Sequence, residues 1–591
     1  MSFLKQERIA AKSFFKPFII QSFTVSNDEQ TIIFSSNISG GYHLWGLDVN
    51  HPFPYPLTSH NQNTESIHVN EDLILFASDH DGDENMQIYA TTLLGGEPKP
   101  VLVKEGTKHF LHSTSGNKIY YSSNNENLLY LNAYEYNFET NEERLLNVGE
   151  IAETHLLAVS PNETAFAYIT KHNHSHMHAF IKKDNKKIPI ISNPEFEYRV
   201  AAVQFVNEQE AYVVTNYGKE FNYLATFSLE TGALVPILEV ANEDIVEIQN
   251  NNGYVYLRTI KGVRDNLYQF SVENSHLQRI EIPIDSIEQW VITESGTIFI
   301  SGSTSKTPEN IYRRDYSGEW KQLMVNRIPG ISYESLVDSE IVTYLSFDGQ
   351  LIEGLFFKAK PENQNGYTIV YPHGGPQFAE IKKRYDSLFQ YFVNLGYNLF
   401  CPNFRGTPHY GTSFMRKIER DWGGGPRLDI LSGIEWAIEE GKIEKGKVIV
   451  FGASYGGYMS LLLAGRHPDY FQACIDLFGP SNLFTLVNDT PEHWRARMDS
   501  WIGNPVRDRE KLIEDSPLTY TDNWRVPLLV IQGANDPRVK RSESEQIVNA
   551  LRAKNIEVEY MVFEDEGHGF SKKKNELLAI EKIEHFLKAF I

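Results

Sequence analysis

Between residues 25 and 325 the sequence returns seven times to one pattern: a short β-prone apolar run, a polar turn, and a second run carrying an aromatic. The runs are TIIFSS at 31, LILFAS at 73, KIYYSS at 118, AFAYIT at 165, AYVVTN at 211, YVYLRT at 254 and TIFISG at 297. A period of about forty to forty-six residues is that of a four-stranded propeller blade, whose strands bury their faces against the next repeat. Several runs are followed by a partner strand, such as YHLWGLDV, MQIYATTL, NLYQFSV or NIYRRDY, after Asn/Asp/Gly/Ser turns. A two-sheet sandwich array also yields many short strands; the regular period favours a seven-bladed β-propeller over residues 17–328. Its aromatics read as core. A propeller implies no activity, since the same scaffold serves as lid, filter or docking surface. Ahead of it, FLKQERIAAKSFF has helical spacing, so a helix is expected within residues 1–16.

After residue 330 the texture changes. TYLSFDGQLIEGLFFKA reads as a hairpin, and beyond it continuous apolar runs (TIVYP, YNLFCPNF, KVIVFGAS, ACIDLFG, PLLVIQG, VEYMVF) alternate with amphipathic segments. Unbroken apolar strands interleaved with helices specify a mostly parallel sheet covered on both faces. Residues 329–591 are therefore expected to form an α/β-hydrolase domain.

One of those strands ends in Gly452-Ala453-Ser454-Tyr455-Gly456. In a G-x-S-x-G between strand and helix, the turn is so tight that only glycine fits on either side, and the serine is pushed out of the sheet. It also stands at a helix N-terminus, whose N–H groups favour a developing oxyanion. A serine hydroxyl needs a base, and the base needs a carboxylate to orient it; in this fold they follow in the order Ser, Asp or Glu, His. Asp536 in VIQGANDPRV and His568 in VFEDEGHGF each follow a strand. Glu564, Asp565 and Glu566 precede His568 too closely to orient its ring and read as a solvated acidic turn. His373 lies upstream and suits a loop-bracing role, while His409 and His493 lack a strand-end context. Tyr371-Pro372-His373-Gly374-Gly375-Pro376 resembles an HGGG-type loop, so the oxyanion donors are expected to be the N–H groups of Gly375 and Tyr455. The specificity pocket is not legible; Phe484 and Trp494, in a segment between two strands, are candidates for it and equally for core.

Composition narrows the partners. A formal net charge of −22 repels phosphate backbones and anionic lipid, so neither nucleic acid nor a membrane is an expected partner. Two cysteines, Cys401 and Cys474, each in an apolar stretch, suit buried thiols in a reducing compartment rather than disulfides or zinc. Without a secretory h-region or a span-length apolar stretch, the reading is cytoplasmic. No metal or cofactor is implied.

GASYGGYMS, GANDPRV, EGHGF, YPHGGP, NFRGTPHYGTSF and DWGGGPRLDI, behind a seven-repeat β domain, together resemble the prolyl oligopeptidase family of serine peptidases, on its acylaminoacyl-peptidase branch. The resemblance covers nearly the whole chain, with the propeller half matched by architecture and period alone. It implies a peptidase of short peptides, with the propeller restricting entry to a cavity between the domains and the N-terminal helix packed on the hydrolase domain. It also implies that Arg538 binds a substrate carbonyl, a task its fork suits, against the plainer reading of a salt-bridging arginine. There are departures. Prolyl oligopeptidases proper and dipeptidyl peptidases use a tyrosine hydroxyl as second oxyanion donor, and Glu142-Glu143 in TNEERLL lacks the context of the dipeptidyl amine clamp. Pro408-His409 stands where the family more often has small residues. A carboxylesterase, a dipeptidyl aminopeptidase and a propeller scaffold with a silent hydrolase domain remain as alternatives. Oligomeric state is open; the resemblance adds that the branch often forms dimers or larger closed particles.

Overall fold

A computed structural model describes residues 11–60, 63–378 and 380–590. Seven four-stranded antiparallel sheets, each built from consecutive strands, occupy Ile20 to Gln322 and form the blades of a propeller. Each of the seven apolar runs is the second strand of its blade, for example Thr31–Ser36, Leu73–Ser78 and Ile298–Ser303. That strand has neighbours on both edges and blades on both faces, so it is buried almost throughout and its sequence shows no alternation. The fourth strands, such as Leu234–Leu238, lie at the rim and are largely exposed.

Adjacent blades are joined by packing and by a recurring glutamine. Gln204 accepts from the Asn250 N–H at 3.0 Å, Gln249 from Ile292 at 2.9 Å, and Gln289 from Phe23 at 2.6 Å. The last of these closes the ring, since it ties blade 7 to blade 1, where Phe23 and Phe34 pack with Phe299 and Ile311.

The second domain is one eight-stranded sheet. Its strands are β1 (Glu340–Leu345), β2 (Leu351–Phe357), β3 (Thr368–Val370), β4 (Asn398–Asn403), β5 (Val448–Ala453), β6 (Ala473–Leu477), β7 (Leu528–Gly533) and β8 (Val558–Phe563), in the order β1-β2-β4-β3-β5-β6-β7-β8. The β1–β2 and β2–β4 pairings are antiparallel and the rest are parallel. Alternate residues enter two cores: Val448, Val450, Leu528 and Val530 face helices Gly425–Glu439, Tyr455–Arg466 and Arg541–Arg552, while Ile449, Phe451, Leu529 and Ile531 face Ser387–Asn394 and Lys573–Leu587. Such two-sided burial is what the unbroken apolar runs require.

Residues 1–10 of the expected N-terminal helix lie outside the described residues. The described part is one helical turn, Ala11–Phe14, after which Phe14 and Phe15 pack on Tyr391 with ring centroids 5.6 and 6.2 Å away. Burying two phenylalanines is worth ~1.5–3 kcal/mol each and anchors the chain to the hydrolase domain before it enters blade 1. Elsewhere the contacts between the domains include polar ones: Lys382 with Asp265 at 3.1 Å, His409 Nδ1 with Asp244 at 2.7 Å, and the Thr412 N–H with the Glu220 carbonyl at 2.8 Å. Among the described residues no helix is long and apolar enough to cross a membrane.

Candidate active site

Strand β5 ends at Ala453 and the next helix starts at Tyr455, which leaves one residue, Ser454, to make the reversal. It does so at φ 58° and ψ −124°, a conformation that costs of order 1–3 kcal/mol for a residue with a side chain. The surroundings hold it there. The Ser454 N–H donates to the Leu477 carbonyl at 2.9 Å. A Cβ on Gly452 would sit 2.2 Å from the Gly456 carbonyl oxygen, and one on Gly456 would sit 2.1 Å from that of Pro372. Both positions admit glycine only, and the second presses the nucleophile turn against the loop at 371–376.

His568 follows β8 and Asp536 follows β7, so both reach the carboxyl ends of the strands beside the serine. His568 Nε2 lies 2.8 Å from Ser454 Oγ, and Nδ1 lies 2.6 Å from Asp536 Oδ2. The Asp536 side chain is fully buried; Oδ1 accepts from the Arg538 and Val539 N–H groups, each at 2.9 Å, leaving Oδ2 for the imidazole. With Nδ1–H donated to Asp536, the Nε2 lone pair faces the serine hydroxyl, which is the arrangement for proton removal.

Gly374, Gly375 and Tyr455 line the same cavity as Ser454. The Tyr455 N–H, at the first helical position, has no acceptor within its helix and lies at the positive end of the helix dipole. His373 stands behind this loop: its ring stacks on Phe404 at 4.3 Å and its nitrogens lie 2.7 Å from Gly374 O and 2.8 Å from Thr407 Oγ1. Burial pushes its pKa down to about 4, so it is a neutral brace.

The acidic turn before His568 differs from the expectation. Glu564 is exposed, but Glu566 is buried and accepts from Ser571 N, Ser571 Oγ, Lys572 N and Asn575 Nδ2 at 2.7–3.1 Å. Asp565 pairs with Lys572 at 2.8 Å. These carboxylates fold the chain after the histidine back under it and hold the His568 loop in shape. A hydrogen-bonded carboxylate and a solvated one look alike in sequence.

The propeller touches this machinery directly. The loop between Leu73–Ser78 and Gln87–Thr92 of blade 2 lies on the loops that carry Asp536 and His568. The Asp81 carbonyl accepts from Asn535 Nδ2 at 3.2 Å, the Asp81 carboxylate meets Lys572 Nζ at 2.9 Å, and Gly82 abuts Gly567 backbone to backbone. Arg538 lines the cavity while its Nε lies 2.6 Å from Glu84 of the same loop.

The cavity beside Ser454 has a volume of about 240 Å³ and walls that include Trp422, Leu486, Trp494, Met498, Trp501 and Ile502. Of the two aromatics proposed for it, Trp494 is present, whereas Phe484 packs on the hydrolase core under the Arg509 guanidinium, 5.3 Å away. A larger space of about 570 Å³, whose lining includes Glu153, His155, Lys171 and Arg199, opens on the propeller side and shares Phe378 with the first. Among the described residues, the one cluster of three metal-ligating side chains contains none of Ser454, Asp536 or His568.

With this geometry in hand, comparison with known proteins is direct. Residues 383–591 match the model of the prolyl oligopeptidase family. Dipeptidyl aminopeptidase BIII of Pseudoxanthomonas mexicana is 35% identical over 292 residues, 47% of this chain and 42% of its own length, so the match spans less than half of that relative. Among solved structures, a puromycin-hydrolyzing peptidase of Mycobacterium tuberculosis superposes with a TM-score of 0.84 at 18% identity, covering 97% of this chain and 94% of that one. The acylaminoacyl peptidase of Pyrococcus horikoshii does so with a TM-score of 0.73 at 17% identity, covering 98% and 97%. At those identities the two structures share the fold.

Proposed function

Since residues 383–591 form a prolyl oligopeptidase family domain, we propose that this chain is a serine peptidase that hydrolyses short peptides through an acyl-enzyme on Ser454. The observation that carries the reading is the hydrogen-bonded chain Ser454–His568–Asp536 at the edge of an apolar cavity. In it, His568 takes the serine proton as Oγ attacks the peptide carbonyl, and Asp536 stabilises the imidazolium that forms. The carbonyl oxygen becomes an oxyanion facing the N–H groups of Gly375 and Tyr455; one such donor contributes ~10²–10³ in rate. His568 then protonates the leaving amine, and a water deprotonated by the same ring releases the acyl group.

The aromatic and aliphatic walls suit an apolar side chain on the residue that supplies the carbonyl. Arg538 is assigned to the next carbonyl along the substrate, with Glu84 holding its guanidinium toward the cavity. The two free thiols, Cys401 and Cys474, support a cytoplasmic location.

Acyl-peptide or oligopeptide cleavage is the first reading; the dipeptidyl aminopeptidase name of a 35% identical relative supports a second, in which the substrate carries a free amine. Measuring kcat/KM for an acylated dipeptide, the same dipeptide with a free amine, and a simple acyl ester on one chromophore separates the two from an esterase. The proposal expects peptide substrates to lead and Ser454→Ala to abolish their turnover. Undiminished hydrolysis by that variant refutes it.

A further inference from the structure

The hairpin of blade 4, Ala165–Lys171 and Met177–Lys183, is closed by the sequence HNHSHMH at 172–178. Its register pairs Thr170 with His178 and Lys171 with Met177, and the His172 N–H donates to the His176 carbonyl at 3.0 Å. Opposed residues and every second residue share one face of a hairpin, so His172, His176 and His178 project together. Their ring centroids lie 4.3–4.8 Å apart, and one nitrogen from each falls within 4.8 Å of the others. His176 Nε2 and His178 Nε2 are 2.6 Å apart.

Two imidazole nitrogens at that distance compete for one proton, and a third ring beside them adds another lone pair. We propose that His172, His176 and His178 form a tris-imidazole site for a divalent transition metal ion, with Zn²⁺ as the occupant. Imidazole nitrogens suit this class of ion, and zinc takes three such ligands at 2.0–2.1 Å with one position left for water or a carboxylate. At tetrahedral angles the nitrogens stand ~3.3 Å apart, so binding requires the close pair to open and the third ring to close on it. On His176 and His178, whose Nε2 atoms face each other, the remaining proton sits on Nδ1. On His176 that nitrogen faces Glu197 Oε1 at 3.8 Å, and Glu197 is in turn paired with Arg416 of the hydrolase domain. A carboxylate behind a ligating histidine is the usual support for such a site. Tyr198 stacks on His178 at 4.8 Å and holds that ring in place. The sequence reading expected no metal, and the site lies outside the triad.

Its position gives it a consequence. The tip of the same hairpin is one of the points at which the propeller grips the hydrolase domain. His174 packs between Phe378 and Trp501, at 4.9 and 4.8 Å, and Ser175 Oγ donates to Glu419. Phe378 and Trp501 are walls of the Ser454 cavity. A metal bound across the base of the tip stiffens the segment that props those walls.

The test uses the full chain, its serine first blocked by a fluorophosphonate so that the catalytic histidine does not compete for metal. Isothermal titration with Zn²⁺ is expected to give one site per chain that disappears in both His176→Gln and His178→Gln, and amide exchange in 165–183 is expected to slow on binding. X-ray absorption of the unmutated zinc-loaded protein needs no variant and is expected to show a nitrogen/oxygen shell with three imidazoles. A stoichiometry unchanged in the two variants, no saturable binding at all, or a shell with fewer than three imidazoles overturns the assignment.

Discussion

Replacing Gly567 with alanine tests whether the propeller helps to position the catalytic histidine. A Cβ at Gly567 would stand 2.0 Å from the Gly82 carbonyl oxygen and 2.8 Å from its carbon. Ordinary contact begins at roughly 3.4 Å, so about 1.4 Å of separation must be found between two stretches of backbone, with no flexible side chain to yield. Overpacking of this kind costs ~1–3 kcal/mol. On one side the blade 2 loop is pinned by the Asp81 contacts with Asn535 and Lys572; on the other, His568 is the next residue along the chain. If the two sides share the displacement, the imidazole moves by a good fraction of an ångström, and a misplacement near 1 Å costs ~10² in rate. Gly567→Ala is therefore expected to lower kcat by ~10- to 100-fold with KM little changed. Gly82→Ala, in the other domain, should act in the same direction, because its Cβ meets the Gly567 nitrogen at 2.6 Å and its φ of +77° adds strain. Stopped-flow acylation with a chromogenic acyl-peptide, alongside the rate of fluorophosphonate labelling, reads the serine–histidine geometry directly. A folded Gly567→Ala protein with wild-type values of both would refute the idea that blade 2 holds the histidine loop.

Other consequences follow from single contacts. Asp536→Asn leaves the ring in place but offers it the wrong tautomer, so kcat should fall by ~10⁴, read from initial rates. Met498→Trp fills the cavity beside Ser454 and should lower kcat/KM for a phenylalanine substrate relative to its alanine counterpart by ~10- to 100-fold; an unchanged ratio would place the specificity pocket elsewhere. Glu309, half-buried in blade 7 with one oxygen on the Ile20 N–H and the other shielded from solvent, has its pKa raised by desolvation and then by Glu288 to about 8. A carboxyl held protonated in the fold contributes stability that is present below the ordinary value of 4.5 and is lost as pH rises through about 8. Glu309→Gln should then raise Tm at pH ~8.5 by ~2–4 °C and change it little at pH ~4.5, by calorimetry. If the propeller filters by size, a pentapeptide is cleaved and unfolded casein is spared; equal rates would remove the filter.

Much of this architecture was legible from local chemistry. The second strand of every blade is buried on all sides, so each repeat carries the same unbroken apolar run. The G-x-S-x-G turn could be recognised because Gly452 and Gly456 leave no room for a side chain, and Asp536 and His568 because both stand where a parallel strand ends. What escaped depends on contacts between residues far apart in the chain. Glu566 reads as a surface acid until Ser571 and Asn575 fold back onto it. Gly82 is one turn glycine among many until Gly567, from the other domain, is pressed against it. The cavity walls come from separate segments, Phe378, Trp422 and 486–502, and no one of them has a pattern that separates lining from core. The alternating histidines at 172, 174, 176 and 178 were a readable signal, since a period of two at a hairpin end places alternate rings on one face.

The most direct test of the central claim is intact-mass spectrometry and peptide mapping of the protein during inactivation by a fluorophosphonate. A single adduct is expected, on Ser454, with peptide hydrolysis falling in proportion to the fraction modified and no adduct on Ser454→Ala. Full peptidase activity in protein quantitatively modified at Ser454, or inactivation that tracks an adduct on another residue, would contradict it.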